Sequence, residues 1–428
     1  MLRSGMQQGG FRRMVRRAMA AAGMALLVVG LALGFGLVLR YQVKCAAVAE
    51  AQGLPAPLDR TTPEALRSAR EVPLTLTLLD VPGEHELRVT WDDAWFGRAS
   101  ASWNSELALT CAALSTLAYS ESGHYQEGSQ GPAYMEQALE QLGFSEVSTD
   151  SYRFRSEVAD QVLNVFTQDE DLGAYTVARR RLAASGDDGS RSVIVVAVRG
   201  SYGSEWLSNA DLSSSGDHPG YRVLADEIAG EVGRWVDAAH AQGDAVTVLT
   251  CGHSRGGAIA GMVAARAIDG DVGAQWGADD EALGYTFAAP CSTTDASARS
   301  ARYDTIVNVV NTADLVPRLP LATWGYVRFG RDVSIGMPSG ASAEDAAGMR
   351  EAYRALTGVL CAHEPMSPSE VETLLDELSG ILVSPDSLAD PVAVAHAAAV
   401  VAAANPLRLL AGHYPSVYLA WLEALATG

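Results

Sequence analysis

Between Ser192 and Val310 short apolar runs rich in β-branched residues alternate with stretches of helical period, and few folds accommodate that alternation. The runs Ser192–Val198, Ala245–Thr250, Gly284–Ala288 and Thr305–Val310 have too few polar positions for either strand face to meet water. Tyr221–His240 and Gly257–Ile268 repeat apolar residues at helical spacing. Strands buried on both faces and joined by helices predict an α/β fold with a mostly parallel sheet covered by helices on both sides. Upstream, Leu74–Leu79 and Leu87–Thr90 read as short strands around the turn signal Pro82-Gly83, and 104–119 and 134–142 as amphipathic helices. A chain of 428 residues, 48% hydrophobic, has ample material for one large core, and no internal repeat interrupts it.

The first residues obey a different logic. Ala18–Leu39 carries no charge, and a helix of that length just covers the roughly 30 Å hydrocarbon core of a bilayer. Arg12, Arg13, Arg16 and Arg17 precede it, so the positive-inside rule holds segment 1–17 in the cytoplasm and sends the chain after Arg40 across the membrane. A cleaved signal peptide, which would release a secreted body, is the competing reading, but no small-x-small site directly follows Leu39. Lys44 and Val43 also stand before Cys45 where a lipidated cysteine would have small residues. Residues 40–70 read as a linker broken by Pro55, Pro57 and Pro63, and 71–428 as the catalytic body, with a helical insertion at about 330–400 that would either cover the site or pad the sheet.

Charge narrows the partners. The formal net charge is −20, but residues 1–44 hold seven cations and no acid, leaving −27 on the rest. Such a body repels phosphate backbones, which excludes nucleic acid as a partner. Lys44 is the only lysine, so Schiff-base chemistry has no residue in the body. Five scattered cysteines do not make a disulfide scaffold; Cys251 and Cys291 end adjacent expected strands, where two buried thiols are expected ahead of a disulfide.

At the junction of an expected strand and helix stands Gly252-His253-Ser254-Arg255-Gly256, a G-x-S-x-G pattern. The pattern alone is weak, but this context is that of a nucleophile elbow, in which a serine occupies a strained turn and glycines flank it because a Cβ would collide with its neighbours. A serine hydroxyl needs a base, and histidine has the pKa for it. His253 adjoins the serine and is a poor base, while His85, His124, His218 and His240 precede the elbow. The chain order of this fold leaves His363, His396 and His413, of which His396 lies in an alanine-rich helix. The acid belongs in a loop at the end of a neighbouring strand; Asp314 meets this, whereas Asp304 lies at the strand's other end.

Four stretches in this order, VVAVRGSYGSEWLSNADL, DHPGYRVLADEI, TCGHSRGGAIAGMVA and TFAAP with VVNTADLVPRLP, resemble the class 3 lipase family of α/β-hydrolases over about residues 90–330 and again at the C-terminus. The resemblance implies a Ser-His-Asp triad: Ser254 as nucleophile, Asp314 from the N-x-x-D-x-V-P pattern, and His413, whose H-x-x-x-x-Y run is similar to the family's C-terminal histidine region. It implies an oxyanion hole from the backbone of Arg255 and from Ser201, and a structural role for His218. Trp206, Asn209 and Asp211 are similar to the family's segment after Ser201, as loop packing and capping residues. Arg255 departs from the usual leucine, which sets a cation beside the expected pocket. The expectation is a membrane-anchored hydrolase of lipid or acyl esters, working outside the cytoplasm with no metal or organic cofactor. A lapsed lipase-like binding protein, or a thioesterase, peptidase or acyltransferase with the same triad, are the alternatives.

Overall fold

The structure, a computed structural model, describes residues 69–96, 102–126, 133–149, 151–152, 173–183, 189–201, 216–337, 346–362 and 364–427. Segment 1–17, the apolar span 18–39 and nearly all of the linker 40–70 lie outside the described residues, as do Trp206, Asn209, Asp211 and His363. No helix among the described residues is long and apolar enough to cross a membrane.

The described chain opens with an antiparallel hairpin, β1 (Arg70–Thr77) and β2 (Glu84–Trp91), turned at Pro82-Gly83. Val72, Leu74 and Leu76 face the core in strict alternation with exposed residues, as a half-buried strand requires. Two helices follow, α1 (Ser105–Gln126) and α2 (Tyr134–Gln141). Then comes a seven-stranded sheet whose spatial order is its chain order: β3 (Glu146–Ser148), β4 (Tyr175–Leu182), β5 (Arg191–Val198), β6 (Ala245–His253), β7 (Glu281–Phe287), β8 (Ile306–Asn311) and β9 (Arg331–Ile335). From β5 to β9 neighbours are parallel; β3 and β4 complete one edge antiparallel.

Helix α3 (Pro219–His240) joins β5 to β6, and α4 (Arg255–Asp269) joins β6 to β7. Because the strand order advances one way, right-handed crossovers put both helices on one face. Ile194, Val196, Val246 and Val248 pack there against Leu224, Ile228, Ile259 and Val263. The opposite face is covered by α1, the hairpin and the last helix, α9 (Pro415–Thr427), through Leu114, Leu117, Tyr418, Leu419 and Leu422. Each such aliphatic side chain contributes about 1.5–3 kcal/mol by leaving water.

Sequence periodicity identified β1, β2, α1, α2, β5, α3, β6, α4, β7 and β8. It did not reveal β3, β4 or β9. Helical patterning was expected from about 330, but residues 331–335 form the sheet's last strand, and α5 (Ala347–Thr357), α6 (Pro368–Ile381), α7 (Pro391–Ala403) and α8 (Pro406–Ala411) come after it. Helices α6 and α7 bury Leu374, Leu378, Ala397 and Val401 against Leu315 and Leu321, which flank the loop leaving β8.

Candidate active site

Strand β6 ends at His253 and α4 begins at Arg255, so Ser254 alone makes the turn. Its backbone sits at φ 58°, ψ −131°, a region that residues with a Cβ rarely occupy and that costs about 1–3 kcal/mol. The surroundings hold it there. The Ser254 amide donates to the Phe287 carbonyl at 2.8 Å, and the Ser254 carbonyl accepts from Gly257 and Ala258 at 2.9 and 3.2 Å. A Cβ on Gly252 would strike the Gly256 carbonyl, and one on Gly256 would strike the Val198 carbonyl, so neither place admits a larger residue. This is the elbow that the sequence pattern implied.

Asp314 lies just beyond β8 and is fully buried; His413 lies in the short link between α8 and α9 and is nearly so. His413 Nδ1 stands 2.8 Å from Asp314 Oδ2, and its Nε2 stands 3.0 Å from Ser254 Oγ. An ionised carboxylate only accepts, so Nδ1 carries the proton and Nε2 is left to accept from the serine hydroxyl. Three residues far apart in sequence thus form one continuous hydrogen-bonded line. His396 is on the exposed side of α7, as a structural surface histidine would be.

Further side chains fix this line. Tyr418 donates its hydroxyl to Asp314 Oδ2 at 2.9 Å and accepts the Asn311 amide at 3.1 Å, while the Val316 amide donates to Asp314 Oδ1 at 2.9 Å. Burial first, then the Asp314 charge, pushes the Tyr418 phenol well above its usual pKa, so it remains a donor. Asn311 Nδ2 donates to the Gly412 carbonyl at 2.8 Å and ties the loop before His413 to the end of β8. Sequence reasoning assigned no role to Tyr418 or Asn311, although they are the Tyr and Asn of the two patterns that marked His413 and Asp314.

A narrow cleft lies over the serine, lined by Leu79, Tyr119, Ser201, His253, Ser254, His413, Tyr414 and Pro415. Ser201 follows β5 by three residues and reaches the cleft, where the second oxyanion donor was expected. The Arg255 amide opens α4 and is one of the helix-terminal N–H groups that have no acceptor within the helix. The Arg255 side chain corrects an expectation. It is fully buried, is not among the residues lining the cleft, and brings its Nη1 close to Gly173 at the start of the β4 segment. It therefore adds no cation to the pocket wall.

Two other readings are refined. His218 is buried and stacked on Tyr221 with ring centroids 3.9 Å apart, a packing role. Cys251 neighbours Cys111 of α1, and both are free and buried. Cys291 is only partly buried, with its sulfur 3.6 Å from Arg328 Nη1 and 3.8 Å from the Pro317 carbonyl. Among the described residues no cluster of His, Cys, Asp and Glu is arranged to hold a metal ion.

The model of the class 3 lipase family matches residues 195–324. No curated protein matches the chain. Among solved structures, the lipase of Rhizomucor miehei in its propeptide complex is 21% identical, with 60% of this chain and 76% of that one covered and a TM-score of 0.37. The lipase of Rhizopus microsporus var. chinensis is 17% identical, with 63% and 84% covered and a TM-score of 0.35. The family match spans Ser201, the elbow and Asp314 and ends before His413. Residues 195–324 are thus similar to the class 3 lipase family, and that match supports a carboxylic ester hydrolase with an α/β-hydrolase-like sheet.

Proposed function

We propose that this protein cleaves lipid or acyl esters outside the cytoplasm, through Ser254, His413 and Asp314, from a catalytic body tethered to the membrane by residues 18–39. The observation that carries the reading is the line from Ser254 Oγ through His413 to Asp314, at 3.0 and 2.8 Å. Ser254 Oγ attacks the ester carbonyl as His413 Nε2 takes its proton, and Asp314 steadies the imidazolium. The oxyanion is met by the Arg255 amide and by Ser201, each such donor being worth about 3 kcal/mol in the transition state. The imidazolium returns its proton to the leaving alcohol, and water, activated by the same histidine, resolves the acyl-enzyme. Among the described residues, Leu79, Tyr119, Tyr414 and Pro415 line the cleft as an apolar wall, which suits a neutral acyl group.

The test is labelling with a fluorophosphonate, with turnover of matched ester, thioester and amide substrates by the wild type and by Ser254→Ala. The expected result is labelling of the wild type alone, ester turnover above amide turnover, and a loss of about 10⁴-fold or more in kcat for the variant. Equal labelling of both proteins would refute the assignment, and acyl-ester binding without turnover would make the chain a lapsed binder.

A further inference from the structure

His253, set aside as a base by its position, lies against the triad. Its Nε2 stands 2.8 Å from the backbone carbonyl of His413, and its Nδ1 stands 3.1 Å from the hydroxyl of Tyr119 on α1. The carbonyl can only accept, so Nε2 carries the proton and Nδ1 accepts from Tyr119. The two imidazole rings are tilted at 45° with centroids 4.8 Å apart, and the Tyr418 ring meets His253 edge-on at 5.8 Å. His253 is thus held by α1 on one side and grips the link carrying His413 on the other.

That link needs a grip. His413 follows the six-residue α8 and precedes α9; its amide donates to the Leu410 carbonyl of α8 at 2.9 Å, but its carbonyl lies beyond that helix, and a small rotation there would carry Nε2 away from the serine. Asn311 holds the preceding residue through the Gly412 carbonyl, and His253 holds His413 through its own. We propose that His253, with Tyr119 behind it, is a positioning residue that fixes the backbone of His413 and thereby the reach of its Nε2 to Ser254.

The two rings are also close enough that only one can carry a proton's charge without heavy cost, and in turnover it must be His413. Burial, and next the charge on His413, holds the His253 imidazole well below its usual pKa and hence neutral. The titratable groups facing it are Tyr119 from α1 and His413 and Tyr418 from the C-terminal segment, with Asp314 beyond them. A neutral ring that donates to a carbonyl meets both needs.

The inference rests on the proposed triad, so the test carries Ser254→Ala beside it, with p-nitrophenyl butyrate as substrate and the full-length chain throughout. His253→Leu removes the donor; His253→Gln keeps an N–H of similar reach. The expected result is a fall of about 10- to 100-fold in kcat for His253→Leu with KM changed less than about twofold, and recovery of most of it in His253→Gln. Tyr119→Phe, which keeps the ring and deletes one hydrogen bond, should lower kcat by roughly 2- to 10-fold, and it decides the matter where His253→Leu does not fold. Wild-type kcat in His253→Leu, or in Tyr119→Phe where that variant decides, would overturn the inference, as would equal losses in the Leu and Gln variants. If Ser254→Ala retains activity, the triad itself falls; if it is inactive while the His253 variants are unimpaired, only the positioning role falls.

Discussion

At the scale of single residues, backbone strain gathers at the proposed nucleophile and beside it. Ser254 holds a conformation natural to glycine, and Ala288, which follows β7 beside the elbow, has a φ of 52°. Ser254→Gly and Ser254→Ala both lose the hydroxyl, so their difference isolates the backbone. The glycine variant should be the more stable by about 0.5–2 kcal/mol, after its larger unfolded-state entropy is deducted, with both inactive. Thermal unfolding of the two side by side measures it. A second consequence concerns acid. His253 has a folded pKa depressed below the usual 6.5, so below that pH the unfolded chain binds a proton that the folded one refuses. Stability from this residue should therefore fall as pH drops below about 6.5, by up to about 1.4 kcal/mol per unit until the ring protonates in place. His253→Gln should remove that slope in denaturant titrations between pH 7 and 5.

At the scale of elements, the βα junction at β6 and α4 does more than present a serine. Helix α4 is buried over most of its length, and Ala258, Ala260, Gly261 and Ala264 allow it to lie close on the sheet. Gly256→Ala would drive a methyl into the carbonyl end of β5, so a loss of about 2–3 kcal/mol or more is expected, together with a disturbed Arg255 amide and reduced kcat. Circular dichroism melts and ester turnover would register the two effects. Not every element was legible in the sequence. Strand β4 reads Tyr-Thr-Val-Ala-Arg-Arg-Arg-Leu, and its three consecutive arginines mask the strand pattern. Tertiary partners make them compatible with burial: Arg180 pairs with Asp93 at 2.8 Å, Arg181 with Asp244 at 2.6 Å, and Arg179 with Glu146. These partners come from distant positions, which local periodicity cannot register. By contrast, β5 is an unbroken apolar run and α3 a clean amphipathic helix, and both were evident from pattern alone.

At the scale of the whole molecule, charge and tether act in opposition. A body with −27 formal charges is repelled by anionic headgroups, so a lasting association with a membrane would depend on the apolar span at 18–39 and not on electrostatic attraction. Full-length protein should accordingly stay with membranes through washes in high salt and alkaline carbonate, since screening removes surface attraction but not a spanning helix. Recovery of a shortened, active chain in the medium would instead establish a cleaved signal. Ser254 and His413 are 159 positions apart, and Asp314 and His413 are 99 apart, yet they meet at the carboxyl ends of the sheet's strands. Strand order achieves this: β6 and β8 flank β7, so their C-terminal loops open on the same rim, and α9 returns the chain beside it.

The sequence by itself determined the class of fold, the strained serine turn, and the residue types able to serve as base and acid, because periodicity, glycine spacing and loop position are local properties. It left His363 and His413 as bases to be told apart by resemblance, and it pointed the Arg255 charge at the pocket. Only the tertiary structure decided the direction of Arg255, the pairing of the β4 arginines, and the hydrogen bonds by which His253 (with Tyr119 behind it), Asn311 and Tyr418 hold His413, Gly412 and Asp314. Those outcomes depend on which distant side chains share a few ångströms of buried space, where a hydrogen bond or an ion pair has no water to compete with it.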